Sequence, residues 1–143
     1  MDIQILKFTK EDQNLYETSL HIRKEVFVNE QKVPANEELE YEDESVFYLL
    51  LFEGKPACTA RYRMVGDKIK LERFATLKEF RHKGLASELL KYILKDIEKT
   101  GKQVYLHAQA YITSLYEKEG FVKVGDIFYE ANIPHYKMIL KQK

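Results

Sequence analysis

Between residues 84 and 100, apolar side chains return every four positions: Leu85, Leu89, Ile93 and Ile97, with Leu90 and Leu94 beside them. That spacing draws one apolar stripe along a helix, and Gly101 supplies a natural stop. Strand-like segments flank the helix, residues 68–76 before it and 103–107 after it. Strand, helix and strand in this order form a crossover between parallel strands. The chain therefore needs a sheet with at least one face covered by this helix.

The remaining segments extend that sheet. Ile3, Ile5 and Phe8 mark an opening strand over residues 3–8. Thr9-Lys10-Glu11-Asp12 reads as a helix N-cap with an acid three residues on, and Leu15, Tyr16, Leu20, Val26 and Phe27 form the apolar side of a helix reaching Phe27. Residues 29–45 are rich in Glu and read as a loop with room for one short helix; a loop this long in a small domain is often functional. Residues 46–52, 57–65 and 68–76 are separated by Glu53-Gly54-Lys55-Pro56 and Gly66-Asp67. They read as an antiparallel meander with two turns. After the crossover come a helix ending at Gly120 and two closing strands, residues 121–124 and 133–140. The expected fold class is α/β of the α+β kind: one domain over residues 1–143, with a mixed, mostly antiparallel sheet and flanking helices.

Composition narrows the function classes. Lys plus Arg and Asp plus Glu each number 23, so the chain lacks the basic footprint of a general nucleic-acid binder. No apolar run approaches the roughly 20 residues of a membrane span, and the N-terminus lacks the pattern of a signal peptide. A cytoplasmic protein with no membrane partner is expected. The lone Cys58 excludes an internal disulfide and reads as a small buried strand residue. No metal site is expected. The 10 Tyr and 8 Phe are spread through the strand and helix patterns, as core residues are.

The chemistry concentrates on the turn Arg81-His82-Lys83-Gly84-Leu85-Ala86-Ser87, which joins a strand to the long helix. The first turn of a helix leaves backbone N–H groups unpaired, and its dipole favours negative charge there. Such a turn is a candidate phosphate site, the alternative being a basic loop before an ordinary helix. Gly84 and Ala86 leave the backbone accessible, and Arg81 and Lys83 add positive charge. The sequence is neither a Walker A loop nor G-x-G-x-x-G.

With these residues in place, the chain resembles the GNAT superfamily of acyl-CoA N-acyltransferases. That family's [RQ]-x-x-G-x-[GA] turn is matched by Arg81, Gly84 and Ala86, and its L-Y-x-x-x-G-F segment by Leu115, Tyr116, Gly120 and Phe121. Residues 23–34 resemble the R-x-x-V-F-V-x-E-Q-x-x-P signature of the ElaA/YjcF-like branch, as do Arg61-Tyr62-Arg63, Leu71-Glu72-Arg73 and Ile133-Pro134-His135. Many family members carry Asn seven positions before the Tyr, where this chain has Gln109.

The resemblance implies transfer of acetyl from acetyl-CoA to a small-molecule primary amine. It implies a cofactor site at residues 81–87, at Phe74, Ala75 and Thr76 beside the pantetheine arm, and at Gln109 and Tyr116. Tyr116 is the implied proton donor to the departing thiolate. Glu72 is a candidate general base, with an ion pair to Arg61, Arg63 or Arg73 as its rival role, and His135 is the alternative base. Strand parity puts Glu72, Phe74 and Thr76 on one face and Arg73 and Ala75 on the other, unless a bulge intervenes. Arg23, Glu30, Arg61, Arg63 and Arg73 are candidates for the acceptor pocket; equally, the arginines could pair with the acidic stretch 37–44. A non-catalytic acyl-CoA sensor or an interaction module on the same fold are the competing functions. The closing strands could support a homodimer.

Overall fold

The spacing of Leu85, Leu89, Ile93 and Ile97 does produce a helix, and all four side chains are buried. A computed structural model of the chain describes residues 2–141. In chain order the elements are β1 (Ile3–Phe8), α1 (Gln13–Arg23), α2 (Ala35–Glu38), β2 (Ser45–Phe52), β3 (Lys55–Val65), β4 (Lys68–Thr76), α3 (Leu85–Ile97), β5 (Val104–Gln109), α4 (Thr113–Glu117), β6 (Phe121–Glu130) and β7 (Ile133–Leu140). The strands make one sheet in the order β1-β2-β3-β4-β5-β7-β6. The β4–β5 pair is parallel, as the crossover requires; the other neighbours are antiparallel.

Side-chain alternation gives each face of the sheet its own core. Tyr48, Leu50, Cys58, Ala60, Ile69, Leu71 and Leu106 pack against α3. Phe47, Leu49 and Phe8 point the other way and pack against Ile22, Val26 and Phe27. Cys58 is fully buried, which pushes its thiol up to about 12, so it is the inert core residue its sequence suggested.

Several boundaries differ from the sequence reading. The α1 cap is Asp12, whose carboxylate accepts from the Leu15 N–H at 3.2 Å; it lies three residues beyond Thr9. Past Arg23 the helix widens into a π-helical stretch, Lys24–Glu30, with the Gln31 N–H reaching back to the Val26 carbonyl. The helix before Gly120 is reduced to α4, preceded by a 3₁₀ turn at Ala110–Ile112. β6 runs on to Glu130, because an irregularity between Val124 and Phe128 absorbs the break in alternation; Gly125 sits there at φ 77°. No helix among the described residues is long and apolar enough to cross a membrane.

One feature of the sheet positions the site. β4 and β5 pair only over Ile69–Leu71 and Val104–Leu106, yet β4 continues to Thr76 and β5 to Gln109. Their C-terminal ends diverge into a wedge with unpaired backbone edges. A bulge accompanies the divergence. Between the pairs Thr59↔Ala75 and Arg61↔Glu72, β4 carries two residues, Arg73 and Phe74, against one on β3, and Arg73 takes the left-handed φ of 59°. The bulge overturns simple parity. Glu72 and Ala75 face α1, whereas Phe74 packs on the α3 side.

Candidate active site

The phosphate turn is built from two left-handed residues, His82 (φ 66°) and Gly84 (φ 76°), just ahead of α3. Gly84 is the N-cap and no side chain caps the helix. The Glu88 N–H is taken by the Gly84 carbonyl, which leaves the first-turn N–H groups of Leu85, Ala86 and Ser87 for an outside acceptor. A Cβ placed at Gly84 would meet nothing within 4 Å, so the approach to these N–H groups is open. The Leu85 side chain itself is buried in the core, so that residue offers only its backbone. His82 and Lys83 are exposed. The turn therefore fits a diphosphate through backbone donors, local cations and helix dipole together.

Arg81 does not extend freely toward this turn. Its Nε donates to the Thr76 carbonyl at 2.9 Å, and its other two nitrogens grip the Glu30 carboxylate at 2.6 and 3.0 Å. Glu30 thereby links the π-helical stretch to the turn. The pair holds the Glu30 carboxyl below its usual range, since the hydrogen bonds from Arg81 favour the charged form.

The wedge opens next to this turn. Phe74, Ala75 and Thr76 form its β4 edge. Ala75 is buried toward α1, and the Thr76 hydroxyl lies 3.3 Å from the Cys58 sulfur. Phe74 meets the Tyr116 ring edge-on at 5.8 Å, and Tyr116 meets Phe121 at 6.0 Å. Burial pushes the Tyr116 phenol above its ordinary value, so it stays protonated at neutral pH and can act as a proton donor. On the β5 edge, the Gln109 side chain donates to Gln31 at 2.9 Å. It ties β5 to the chain following the π-helical stretch rather than standing free.

The proposed acceptor arginines are occupied. Arg23 donates to the Glu38 carboxylate at 2.7 Å, to Glu42 at 2.8 Å and to the Glu38 carbonyl at 3.0 Å. Arg61 bonds Glu42 and reaches Glu72 at 2.9 Å. Arg63 donates to Glu72 at 2.9 Å, with its guanidinium 3.8 Å over the Tyr41 ring. Arg73 reaches back to the carbonyls of Glu37 and Glu38, both at 3.1 Å. Arg23 and Arg61 are at most 1% exposed. These arginines fold the acidic stretch 37–44 onto the sheet instead of lining an open pocket.

Glu72 belongs to the same network, with Arg61, Arg63 and Lys70 around it. Burial alone would raise its carboxyl, but these cations outweigh burial and hold it down to about 2. A carboxylate so acidic is a poor proton acceptor near neutrality, and the ion-pair role is the one its geometry supports. His135 differs. It is mostly buried on β7 opposite Gln109, and its Nδ1 lies 2.7 Å from the Ile133 carbonyl. Three polar residues near the same mouth carry no site role in the sequence reading: Gln31, His107 and Glu130. A strand pairing of 105–109 with 135–139 would have brought His107 near His135, but β6 was expected to stop short of Glu130.

A family model described as an acetyltransferase (GNAT) domain matches residues 7–142. The uncharacterised N-acetyltransferase YjcF of Bacillus subtilis (strain 168) is 33% identical over 124 residues, covering 85% of this chain and 89% of YjcF. The crystal structure of an acyl-CoA N-acyltransferase from Pseudomonas aeruginosa aligns with a TM-score of 0.85 at 26% identity, over 98% of this chain and 100% of that one. Escherichia coli ElaA shares the fold, with a TM-score of 0.85 at 23% identity over 98% of this chain and 100% of its own. The family match spans the wedge, the phosphate turn and the Tyr116 segment alike, and this chain belongs to the GNAT family of acetyltransferases.

Proposed function

We propose that this protein transfers an acetyl group from acetyl-CoA to a primary amine of a small molecule, by direct attack in a ternary complex. The wedge between β4 and β5 carries this reading: it offers unpaired strand edges, open helix N–H groups at one end and a protonated phenol in its wall. Acetyl-CoA supplies the activated thioester. The β4 edge at Phe74, Ala75 and Thr76 can bond an extended amide arm as an added strand would. The N–H groups of Leu85, Ala86 and Ser87, with Lys83 and His82 beside them, hold the diphosphate. A strand N–H aimed into the wedge polarises the thioester carbonyl.

Tyr116 donates the proton that the departing thiolate needs. The attacking amine must also lose one, and His135 is the candidate left to accept it, because Glu72 is held as an anion among cations. The acceptor has to be sought outside the arginine cluster, whose members are already engaged.

The test is CoA-thiol release from acetyl-CoA against amino sugars, amino acids, polyamines and peptides. Amine-dependent release is expected with at least one class. Tyr116→Phe should lower turnover by about 100-fold, the lower end of general acid–base contributions, with CoA affinity nearly unchanged. Calorimetric CoA binding without release by any amine would favour a sensor, and unchanged turnover in Tyr116→Phe would remove the phenol's role.

A further inference from the structure

The sheet face on the α1 side carries, at its β5–β7–β6 end, a cluster that the arginine network does not reach. Glu130, the last residue of β6, stands between two imidazoles. Its Oε2 is 3.2 Å from His107 Nδ1, and its Oε1 is 3.9 Å from His135 Nε2. Phe128 lies against both rings, edge-on to His107 at 5.0 Å and stacked on His135 at 5.9 Å.

The two histidines relate to Glu130 differently. His135 Nδ1 faces the Ile133 carbonyl at 2.7 Å. A carbonyl only accepts, so Nδ1 carries a proton, and Nε2 offers a lone pair whenever the ring is uncharged. That lone pair faces a carboxylate oxygen, a second acceptor, across a gap longer than a hydrogen bond. Two acceptors facing each other are satisfied by a group between them that has several N–H bonds. His107 Nδ1, by contrast, is close enough to donate to Glu130 and fixes how the carboxylate points.

The cluster is reachable from solvent. The Glu130 side chain is 47% exposed, against 10% for His135. Next to it, a cleft of about 340 Å³ runs between Lys32, Pro34 and Glu37 on one wall and Tyr129, Ala131 and Asn132 on the other, at the small end for a ligand pocket. Ala131 and Asn132 both have left-handed φ, 50° and 63°, as in a tight two-residue hairpin turn. The wall beside Glu130 is therefore short and stiff. Two of the nearby cations are engaged elsewhere, Lys70 with Glu72 at 3.2 Å and Lys137 over the Tyr105 ring at 5.2 Å, while Lys32 shares the cleft lining with Glu37.

We propose that Glu130 and His135 form the subsite for the acceptor's ammonium group, with His107 as a positioning residue. The proposal rests on the N-acyltransferase reading above. Glu130 receives the incoming cation, and one N–H bond breaks toward His135. The electron pair stays on the amine nitrogen as the attacking lone pair, and the proton goes to His135 Nε2. The resulting imidazolium faces the Glu130 carboxylate. Gln109, directly opposite His135 across the β5–β7 pair, places this event at the mouth of the wedge. The substrate class is a small primary amine that is a cation at neutral pH, received amine end first at the exposed Glu130 carboxylate.

The test is NMR of the imidazole signals of the full chain during titration with n-butylamine hydrochloride, with 1-butanol as the neutral control. Butylammonium should shift His107 and His135, and 1-butanol should leave both in place. Glu130→Gln should weaken the response about tenfold, the difference between a charged and a neutral hydrogen-bond partner. His107→Gln, which keeps a donor, should retain the response that His107→Ala loses. Equal responses to alcohol and ammonium, or an undiminished response in Glu130→Gln, overturn the proposal. Calorimetry with CoA on the same samples separates the two readings. CoA binding with unmoved imidazoles sinks the subsite alone, whereas absent CoA binding sinks the transferase reading beneath it.

Discussion

Two charged regions border the wedge, and they are completed in opposite ways. On the β3–β4 side, Arg23, Glu38, Glu42, Arg61, Arg63 and Glu72 answer one another almost entirely within the protein. At the start of α3, cations and backbone donors face outward, and the helix has no side-chain cap. The first region is rich in the residue type that binds anions, yet its donors are spent on Glu42, Glu38 and Glu72. The second holds fewer charges but leaves its donors open. Whether a charge serves architecture or ligand depends on what is left unpaired, and residue type alone does not decide it.

The largest effect should come from breaking the closed region. Glu42 accepts from Arg23 and from the Tyr16 hydroxyl, each at 2.8 Å, and from Arg61. Glu42→Gln leaves two buried guanidiniums without their shared carboxylate. Removing one partner of such a pair costs about 3–5 kcal/mol, and urea unfolding should show a loss of that order. CoA affinity of the folded fraction should stay within about twofold, because none of these groups faces the turn. A collapse in CoA affinity at unchanged stability would reverse the comparison.

The open region should respond in the other currency. Gly84→Ala meets no neighbour within 4 Å but must hold a φ of 76°, which costs about 1–2 kcal/mol. Its methyl group would also narrow the approach to a turn that is open at this position. A CoA dissociation constant raised by about tenfold is expected, the scale of one charge-assisted hydrogen bond, and calorimetry reads it directly. An affinity unchanged in a folded Gly84→Ala protein would place the diphosphate elsewhere.

This contrast also explains what the sequence could reveal. α3, the crossover and the β2–β3–β4 meander were legible because their apolar periods run unbroken and glycines mark the turns. The open turn before α3 was legible because it is local: the uncapped backbone N–H groups and Gly84 lie within one short segment. The β4 bulge was not, since Arg73 adopts its left-handed φ without a glycine to announce it. For Arg23, Arg61 and Arg73 the sequence left an acceptor pocket and pairing with the acidic stretch equally open, and only the folded chain, which brings Glu38 and Glu42 to them, decides for pairing. Glu130 stayed hidden because Gly125 ends the visible alternation of β6 and the strand resumes beyond it.

Arg81 tests the boundary between the two regions, because it belongs to both. It sits in the phosphate turn, yet its guanidinium is shared between Glu30 and the Thr76 carbonyl. Both side chains of the Arg81–Glu30 pair are partly exposed, 32% and 40%, and pairs of that kind contribute about 0–1 kcal/mol. Glu30→Gln should therefore leave the unfolding midpoint nearly unchanged. It removes the carboxylate that neutralises Arg81 while the bond to Thr76 still anchors Nε, so two charged donors become free beside α3. CoA affinity should rise about two- to fivefold, within what a surface pair of this strength can return, and should depend more steeply on salt. A fall in affinity would show Glu30 to be a strut that the turn needs for its shape, and Arg81 would then join the closed region with Arg23 and Arg61.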